Sequence, residues 1–126
     1  MNVDRNTADS PVAIVIHGGA GTISRKDMTA DKETAIRAVL QESVQAGYRA
    51  LESGASSTDA VIAAIRVMED SPLFNAGKGA VFNAVGGHEM DASLMEGAGL
   101  NAGAVASVRS IKNPIELAFK VMTSSE

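Results

Sequence analysis

The fold is decided by the alternating stretch His88-Glu89-Met90-Asp91-Ala92-Ser93-Leu94-Met95. Its apolar residues fall at 90, 92 and 94 and its polar residues at 89, 91 and 93, which is the period of a β-strand with one buried face. The run Ala102–Val108 is uniformly small, which predicts a central strand whose backbone lies close to another element. Ahead of both, Ala80–Asn83 and the Gly86-Gly87 turn predict a β-hairpin.

Three amphipathic helices are predicted around these strands. The first ends before Gly54, and its apolar stripe consists of Ile36, Leu40, Val44, Tyr48 and Leu51. Ser56 and Asp59 have the spacing of a capping box, and the stripe of the helix they open is Val61, Ala64, Ile65 and Met68. Asn113 as N-cap followed by Pro114 predicts a third helix, whose inward residues are Ile115, Ala118, Phe119 and Met122.

The N-terminal part of the chain begins with a polar, aperiodic segment. Residues 1–10 are predicted to be a disordered tail, and residues 11–126 to form one domain. Val12–Ile16 is a continuous apolar run that predicts a strand buried on both faces, and a glycine-rich turn at residues 17–21 ends it. Four strands and three helices indicate the α+β class, with an open sheet edge that suggests a partner segment.

Composition excludes several classes of function. The 126 residues carry a net charge of −4 and 3% aromatic residues, so neither a basic face nor stacking groups for nucleic acid are expected. No cysteine is present, which excludes disulfides, thiolate zinc sites and a thiol nucleophile. The longest apolar run, Ala60–Ile65, has six residues, so no membrane span is predicted. Without a leader pattern, the expected location is the cytoplasm.

Three groups of residues could carry chemistry, and each has a structural alternative. The glycine turn at 17–21 could present N–H groups to an anion or could be only a tight turn. Glu89 and Asp91 share a strand face, as acid–base pairs do and as solvated carboxylates also do. The loop from Met68 to Lys78 leaves a helix C-terminus whose free carbonyls suit a hard cation or water. His17 and His88 are too isolated to predict a metal site.

Five strings, in order along the chain, resemble the N-terminal part of the plant-type L-asparaginases, also called isoaspartyl peptidases or β-aspartyl-peptidases. They are Ile16-His17-Gly18-Gly19-Ala20-Gly21, Ser71-Pro72-Leu73-Phe74-Asn75-Ala76-Gly77, Glu89-Met90-Asp91-Ala92-Ser93, Ala102-Gly103-Ala104-Val105 and Asn113-Pro114-Ile115. The resemblance implies an N-terminal-nucleophile hydrolase with an αββα sandwich, made as a precursor that cuts itself into α and β subunits. Residues 11–126 would then be an N-terminal fragment of the α subunit.

The resemblance also implies where the chemistry resides. The family's nucleophile is a threonine in a Thr-Val-Gly motif at the start of the β subunit, and no threonine here is followed by Val-Gly. No catalytic residue is therefore expected in this chain, which alone is predicted to be inactive. The complete (αβ)2 hydrolase would act on L-asparagine, releasing aspartate and ammonia, and on isoaspartyl dipeptides. The first alternative is a non-catalytic module that acts by binding or association, and the second is an anion-binding domain.

The chain's own contribution, by resemblance, is support around the site. Gly18 and Gly19 would border the nucleophile, and Asn75 would hold the nucleophile region by hydrogen bonds. The loop resembles the family's sodium-binding loop, whose ligands would be the main-chain oxygens of Met68, Glu69, Ser71, Phe74, Ala76 and Lys78. No other cofactor is implied. Glu89 and Asp91 then become part of a strand signature rather than an acid–base pair.

Overall fold

A computed structural model describes residues 11–20 and 25–124 of the chain. The elements are the helices α1 (Ala30–Glu52), α2 (Ser57–Glu69) and α3 (Pro114–Ser124) and the strands β1 (Met90–Met95) and β2 (Ala102–Val108). The predicted α+β class and the three helices are confirmed, whereas the tail predicted for residues 1–10 lies outside the described residues. No helix in the described ranges is long and apolar enough to cross a bilayer.

Strands β1 and β2 form a two-stranded antiparallel sheet in which Leu94 pairs with Gly103. The predicted alternation is confirmed, since Leu94 is buried while Asp91 and Ser93 face outward. A bulge interrupts the ladder at Ser107, whose φ is 55° and whose N–H donates to Asp91 Oδ1 at 2.7 Å. The prediction that β2 is a central strand is wrong for the described part of the chain, because β1 is its sole neighbour there.

The segment 12–16 does not form the predicted strand buried on both faces. It has no ladder partner among the described residues, and without one its N–H and C=O groups cannot build a sheet. Ile14 and Ile16 are half-buried, whereas Val15 between them is 90% exposed. The apolar run therefore anchors one face only and leaves the other uncovered.

The predicted hairpin before β1 is reduced to a turn and one bridge. Phe82 and His88 form an isolated antiparallel bridge, and their rings stack with centroids 4.4 Å apart. The turn itself is confirmed: Asn83 N–H donates to the carbonyl of Gly87 at 2.7 Å, and Gly86 has a φ of 78°. Phe82 remains 71% exposed and Val85 87%, so this turn also presents apolar surface.

Helices α1 and α2 pack through small residues, and four of the five residues of the predicted apolar stripe of α1 are half-buried. Ser43 and Gly47 are the buried residues of α1, and Tyr48 of the predicted stripe is 43% exposed. Ser43 Oγ donates to the carbonyl of Ala64 at 2.7 Å, and a Cβ at Gly47 would lie 2.9 Å from the carbonyl oxygen of Ala60. The helix backbones approach so closely that only small side chains fit between them.

The core lies where α2 and α3 cover the sheet. It is built on Leu94, Ile115 and Ala118, and the partly buried residues around it are Val61, Ile62, Ile65, Ala92, Val105, Phe119 and Met122. The predicted inward face of α3 is thus confirmed, as is the capping box at the start of α2. The small residues of β2 have a direct cause, because a Cβ at Gly103 would overlap the α3 backbone.

Candidate functional site

The residues predicted to support the site lie around one cavity of about 850 Å³. The turn after residue 16 forms one wall, the loop after α2 a second, and the outward residues of β1 a third. The polar or flexible lining positions are His17, Gly18, Gly19, Glu69, Asn75, Asp91 and Ser93. The structure therefore brings the adjacent Gly18 and Gly19 to the same cavity as Asn75, which lies 56 positions after Gly19 in the sequence.

The glycine turn is held open by its backbone. Gly19 has a φ of 104°, the left-handed region that favours glycine, and its N–H donates to His17 Nδ1 at 3.1 Å. A Cβ at Gly18 would lie 2.9 Å from Leu40 Cδ2 and 3.3 Å from Phe74 Cε1. A larger residue at 18 would therefore displace the ends of two side chains that pack behind the turn. Gly21, at the end of the predicted motif, lies outside the described residues.

Asn75 sits at the tip of the loop that follows α2. Its Oδ1 accepts a hydrogen bond from Val81 N–H at 3.0 Å, which ties the two limbs of the loop together. The residue is exposed and lines the cavity opposite the glycine turn. Its amide oxygen thus fixes the loop, and its amide NH₂ group is the donor it can offer to a neighbouring segment.

The loop between Met68 and Lys78 folds so that its carbonyls face its own return limb. A Cβ at Gly77 would overlap the carbonyl oxygen of Glu69, and one at Gly79 would overlap that of Phe74. The carbonyls of Met68, Phe74 and Ala76 each accept one backbone hydrogen bond, at 3.2, 2.8 and 3.0 Å. Because a carbonyl has two lone pairs, these oxygens keep the capacity to bind a hard cation. The described residues contain no cluster of three acidic or histidine side chains suited to a metal.

Two acids at the end of α2 clamp the start of α3. Glu69 Oε1 accepts the N–H of Ile115 at 3.1 Å, and Asp70 Oδ1 accepts the amide of Asn113 at 3.1 Å and the Lys112 ammonium at 3.0 Å. Asn113 therefore occupies the predicted N-cap position, but its side-chain amide donates to Asp70. The side chain that accepts a hydrogen bond from the first turn of α3 is Glu69 instead. A carboxylate there is also favoured by the helix dipole.

The sequence analysis missed the role of Glu69. Acids at a helix C-terminus are unfavourable because that end carries partial negative charge, so Glu69 and Asp70 at the end of α2 already indicated a distant partner. Burial raises the pKa of the Glu69 carboxyl above its usual value, and the hydrogen bonds to it act in the opposite direction. Hydrogen bonds from Asn113 and Lys112 lower the pKa of Asp70.

Glu89 and Asp91 are engaged in contacts that stabilise the sheet. Glu89 pairs with Arg109, which follows β2, with Nε 3.0 Å from Oε1. Asp91 Oδ1 holds the bulge at Ser107. Their carboxylates point to different partners, so the geometry does not form an acid–base pair.

The Glu89–Arg109 pair makes a testable contribution to stability. Hydrogen bonding and charge from Arg109 lower the pKa of Glu89 below 4.5. The carboxylate therefore stabilises the folded chain fully above pH 4.5 and loses this effect as the pH falls through the lower, folded pKa. We expect Glu89→Gln to lower the melting temperature by about a degree or two at neutral pH and to leave it unchanged in strong acid.

Thermal unfolding followed by circular dichroism at both pH values measures this difference. Glu42→Gln in the middle of α1 is the matched control and should change neither value, because Glu42 is exposed and lies outside the sheet. A difference at neutral pH that persists in strong acid would show that packing, and not the carboxylate charge, is responsible.

The class of protein follows from comparison with known families. A family model described as "Asparaginase" matches residues 10–126, which covers the whole fold and the cavity described above. The chain therefore belongs to this asparaginase family, as the motif strings predicted.

Curated relatives give the likeness in more detail. The chain is similar to a plant-type L-asparaginase of Pyrococcus abyssi, with 47% identity over 91% of this chain and 36% of the relative. An isoaspartyl peptidase of Escherichia coli is 47% identical over 89% of the chain and 35% of its own length. An isoaspartyl peptidase/L-asparaginase of Mus musculus is 42% identical over 94% and 35%. The chain thus spans about a third of the length of the curated relatives it matches.

Proposed function

We propose that this chain is the N-terminal part of the α subunit of a hydrolase that converts L-asparagine to L-aspartate and ammonia and cleaves isoaspartyl dipeptides. Relatives named for these activities are 47% identical to the chain over about nine-tenths of its length. The observation that carries the proposal is the cavity in which Gly18, Gly19 and Asn75 meet, since these are the positions expected to border the nucleophile.

The nucleophile in this proposal is the N-terminal threonine of a β subunit cut from the same precursor, with its own α-amine as the base. The cavity supports an external nucleophile because its own polar side chains are engaged elsewhere. His17 Nδ1 accepts from Gly19 N–H, and Asp91 Oδ1 accepts from Ser107 N–H. Ser93, which lies on the same wall, is therefore not activated by a relay through these two atoms.

The residues of this chain would position the nucleophile and shape the cavity, and they would not themselves react with the substrate. The left-handed backbone at Gly19 lets a second chain segment approach the turn without meeting a Cβ. The Asn75 amide would donate a hydrogen bond to that segment. The turn and the loop would together fix where the threonine stands relative to a bound asparagine or isoaspartyl dipeptide.

The β subunit would also complete the fold as an αββα sandwich. Val15, Phe82 and Met95 are 90%, 71% and 60% exposed, and both strands of the sheet have open edges. Apolar surface and free edges of this kind are normally covered by another segment. The assembled protein would be an (αβ)2 hydrolase of the cytoplasm, with a small-molecule substrate and no nucleic acid or membrane as partner.

The loop after α2 would hold a structural sodium ion. Its donor set fits, because the loop turns carbonyl oxygens toward its own interior and oxygen is the ligand that hard cations prefer. The ligands would be the main-chain oxygens of Met68, Glu69, Ser71, Phe74, Ala76 and Lys78. The ion would supply local rigidity and no chemistry of its own, so that Asn75 at the loop tip is held in place.

We expect the isolated chain to release no ammonia from L-asparagine, because the proposed nucleophile belongs to the β subunit. A chimera in which residues 10–126 replace the matching segment of the Pyrococcus abyssi relative should cut itself into two fragments and release ammonia. Mass spectrometry detects the cleavage, a coupled assay detects the ammonia, and the unmodified relative is the control.

Either of two results would contradict the proposal. Ammonia release by the pure isolated chain would place a nucleophile within it. A folded chimera that remains uncut would favour the alternative, a non-catalytic module that acts by binding through its open sheet edges and the exposed apolar residues beside them.

A further inference from the structure

One carboxylate oxygen of Glu69 is buried without a hydrogen-bond partner among the described residues. The residue is only 4% exposed, and its other oxygen, Oε1, is committed to Ile115 N–H at 3.1 Å. A buried oxygen of this kind costs free energy unless a donor or a positive charge lies near it. A hydrogen-bond donor or a positive charge is therefore expected close to Oε2 of Glu69.

The neighbouring acids already have basic partners. Asp70 binds Lys112 Nζ at 3.0 Å, and Glu116 binds Arg66 at 3.1 Å. Both of these pairs are largely exposed, whereas Glu69 lies behind them and has no basic partner in the described part of the chain. The Asn113 amide lies close enough to lower the pKa of Glu69, but it is neutral, so no described side chain supplies Glu69 with a positive charge.

The same residue lies at the start of the carbonyl-lined loop. A polar cavity of about 240 Å³ is bordered by Glu69 and by Asn75, Ala76 and Gly77 on the return limb. Gly77 has a φ of 49°, and its position leaves no room for a Cβ beside the Glu69 carbonyl. Glu69, the return limb of the loop and the acidic residues Glu89 and Asp91 of the neighbouring strand region thus border one small polar space.

We infer that the Glu69 carboxylate is a positioning residue that serves as the buried counter-charge for a monovalent cation held by the loop carbonyls, and that it couples cation binding to the docking of α3. The inference rests on the proposed cation loop. Carbonyl ligands are neutral, so a partly buried cation gains from a nearby negative charge. The hydrogen bond from Ile115 N–H fixes the carboxylate on the α3 side, so one group serves the loop and the helix.

Sodium-dependent thermal unfolding of the chain tests this role. The melting temperature is measured against NaCl concentration, with tetramethylammonium chloride keeping the ionic strength constant. Glu69→Gln keeps an oxygen for Ile115 N–H but removes the charge, whereas Glu69→Asp keeps the charge but is too short to reach. Glu116→Gln is the matched control, because it removes an exposed carboxylate from the first turn of α3, next to the Ile115 N–H that Glu69 accepts.

The expected results distinguish the effect of the Glu69 charge from the effect of its hydrogen bond to Ile115 N–H. In Glu69→Gln the half-saturating sodium concentration should rise at least about tenfold, while the melting temperature without sodium stays at or above that of the unsubstituted chain. In Glu69→Asp the melting temperature should fall in both salts, while the sodium response is kept. Glu116→Gln should leave the half-saturating concentration unchanged.

Two results would overturn the inference, and they are distinguishable. An unchanged sodium midpoint in Glu69→Gln would show that Glu69 only caps α3, although the cation loop itself would stand. A sodium response absent from the unsubstituted chain would remove the cation loop and this inference with it, leaving the hydrolase proposal to the chimera experiment.

Discussion

Replacing Gly103 by alanine is expected to destabilise the chain by about 3 kcal/mol, which lowers the melting temperature by roughly 10 °C. Gly103 is buried in β2, and an added Cβ would overlap the carbonyl oxygen of Ala118 and the backbone nitrogen of Met122. Both atoms belong to the α3 backbone, so no change of side-chain rotamer can relieve the overlap. Either the helix moves away from the sheet or β2 bends, and each loses core contacts.

The matched control is Gly97→Ala. A Cβ at Gly97 meets nothing within 4 Å, and this glycine lies in the turn between the same two strands. Its substitution should change stability by less than about 0.5 kcal/mol. Urea unfolding monitored by circular dichroism measures both variants. Equal stability of the two variants would show that the α3 backbone does not lie against Gly103.

Gly103 illustrates what sequence patterns predict well. A run of seven small residues in a strand indicates that a second backbone lies close, and the structure identifies α3 as that backbone. The alternation in β1, the capping box of α2 and the inward face of α3 were predictable for the same reason. Each depends on neighbours within one element or one turn, which spacing along the sequence encodes directly.

The incorrect predictions depend on what a segment packs against. The apolar run at 12–16 has the composition of a buried strand, yet a strand needs a partner, and composition does not say where one lies. The α1 stripe was correct as a half-buried face except at Tyr48, but it did not identify the contact with α2. Ser43 and Gly47 form that contact because α2 offers small residues and a carbonyl acceptor there. Such pairings join positions 13 and 21 residues apart, on two different helices, and no local period records them.

Some parts of the candidate site were predictable from the sequence and others were not, for the same reason. The glycine turn and the loop after α2 were recognisable because glycine and helix-end carbonyls have local backbone signatures. The contact from Glu69 to Ile115 spans 46 positions and joins a side chain to a backbone N–H, so the sequence gives no pairing signal for it. The unfavourable placement of two acids at a helix C-terminus was the one local indication.

Ile115→Ala is the second large effect, expected at about 3 to 4 kcal/mol of lost stability. Ile115 is 1% exposed and stands where α3, β1 and α2 meet, so its loss leaves a cavity that no one element can close. The backbone N–H that Glu69 binds is retained, because the substitution changes only the side chain. The loss of stability therefore measures the packing of the Ile115 side chain and not the hydrogen bond between its N–H and Glu69.

Ile111→Ala is the matched control, because it makes the same substitution at a more exposed position. Ile111 lies four positions earlier, before α3, and is 38% exposed, so its truncation should cost less than about 1 kcal/mol. Hydrogen exchange adds a spatial test: Ile115→Ala should speed exchange in β1 and α3 together, because both rest on this side chain, while α1 keeps its protection. Loss confined to α3 would mean that the helix and the sheet open separately. In that case Ile115 would be a local contact of α3 and not the centre of the core.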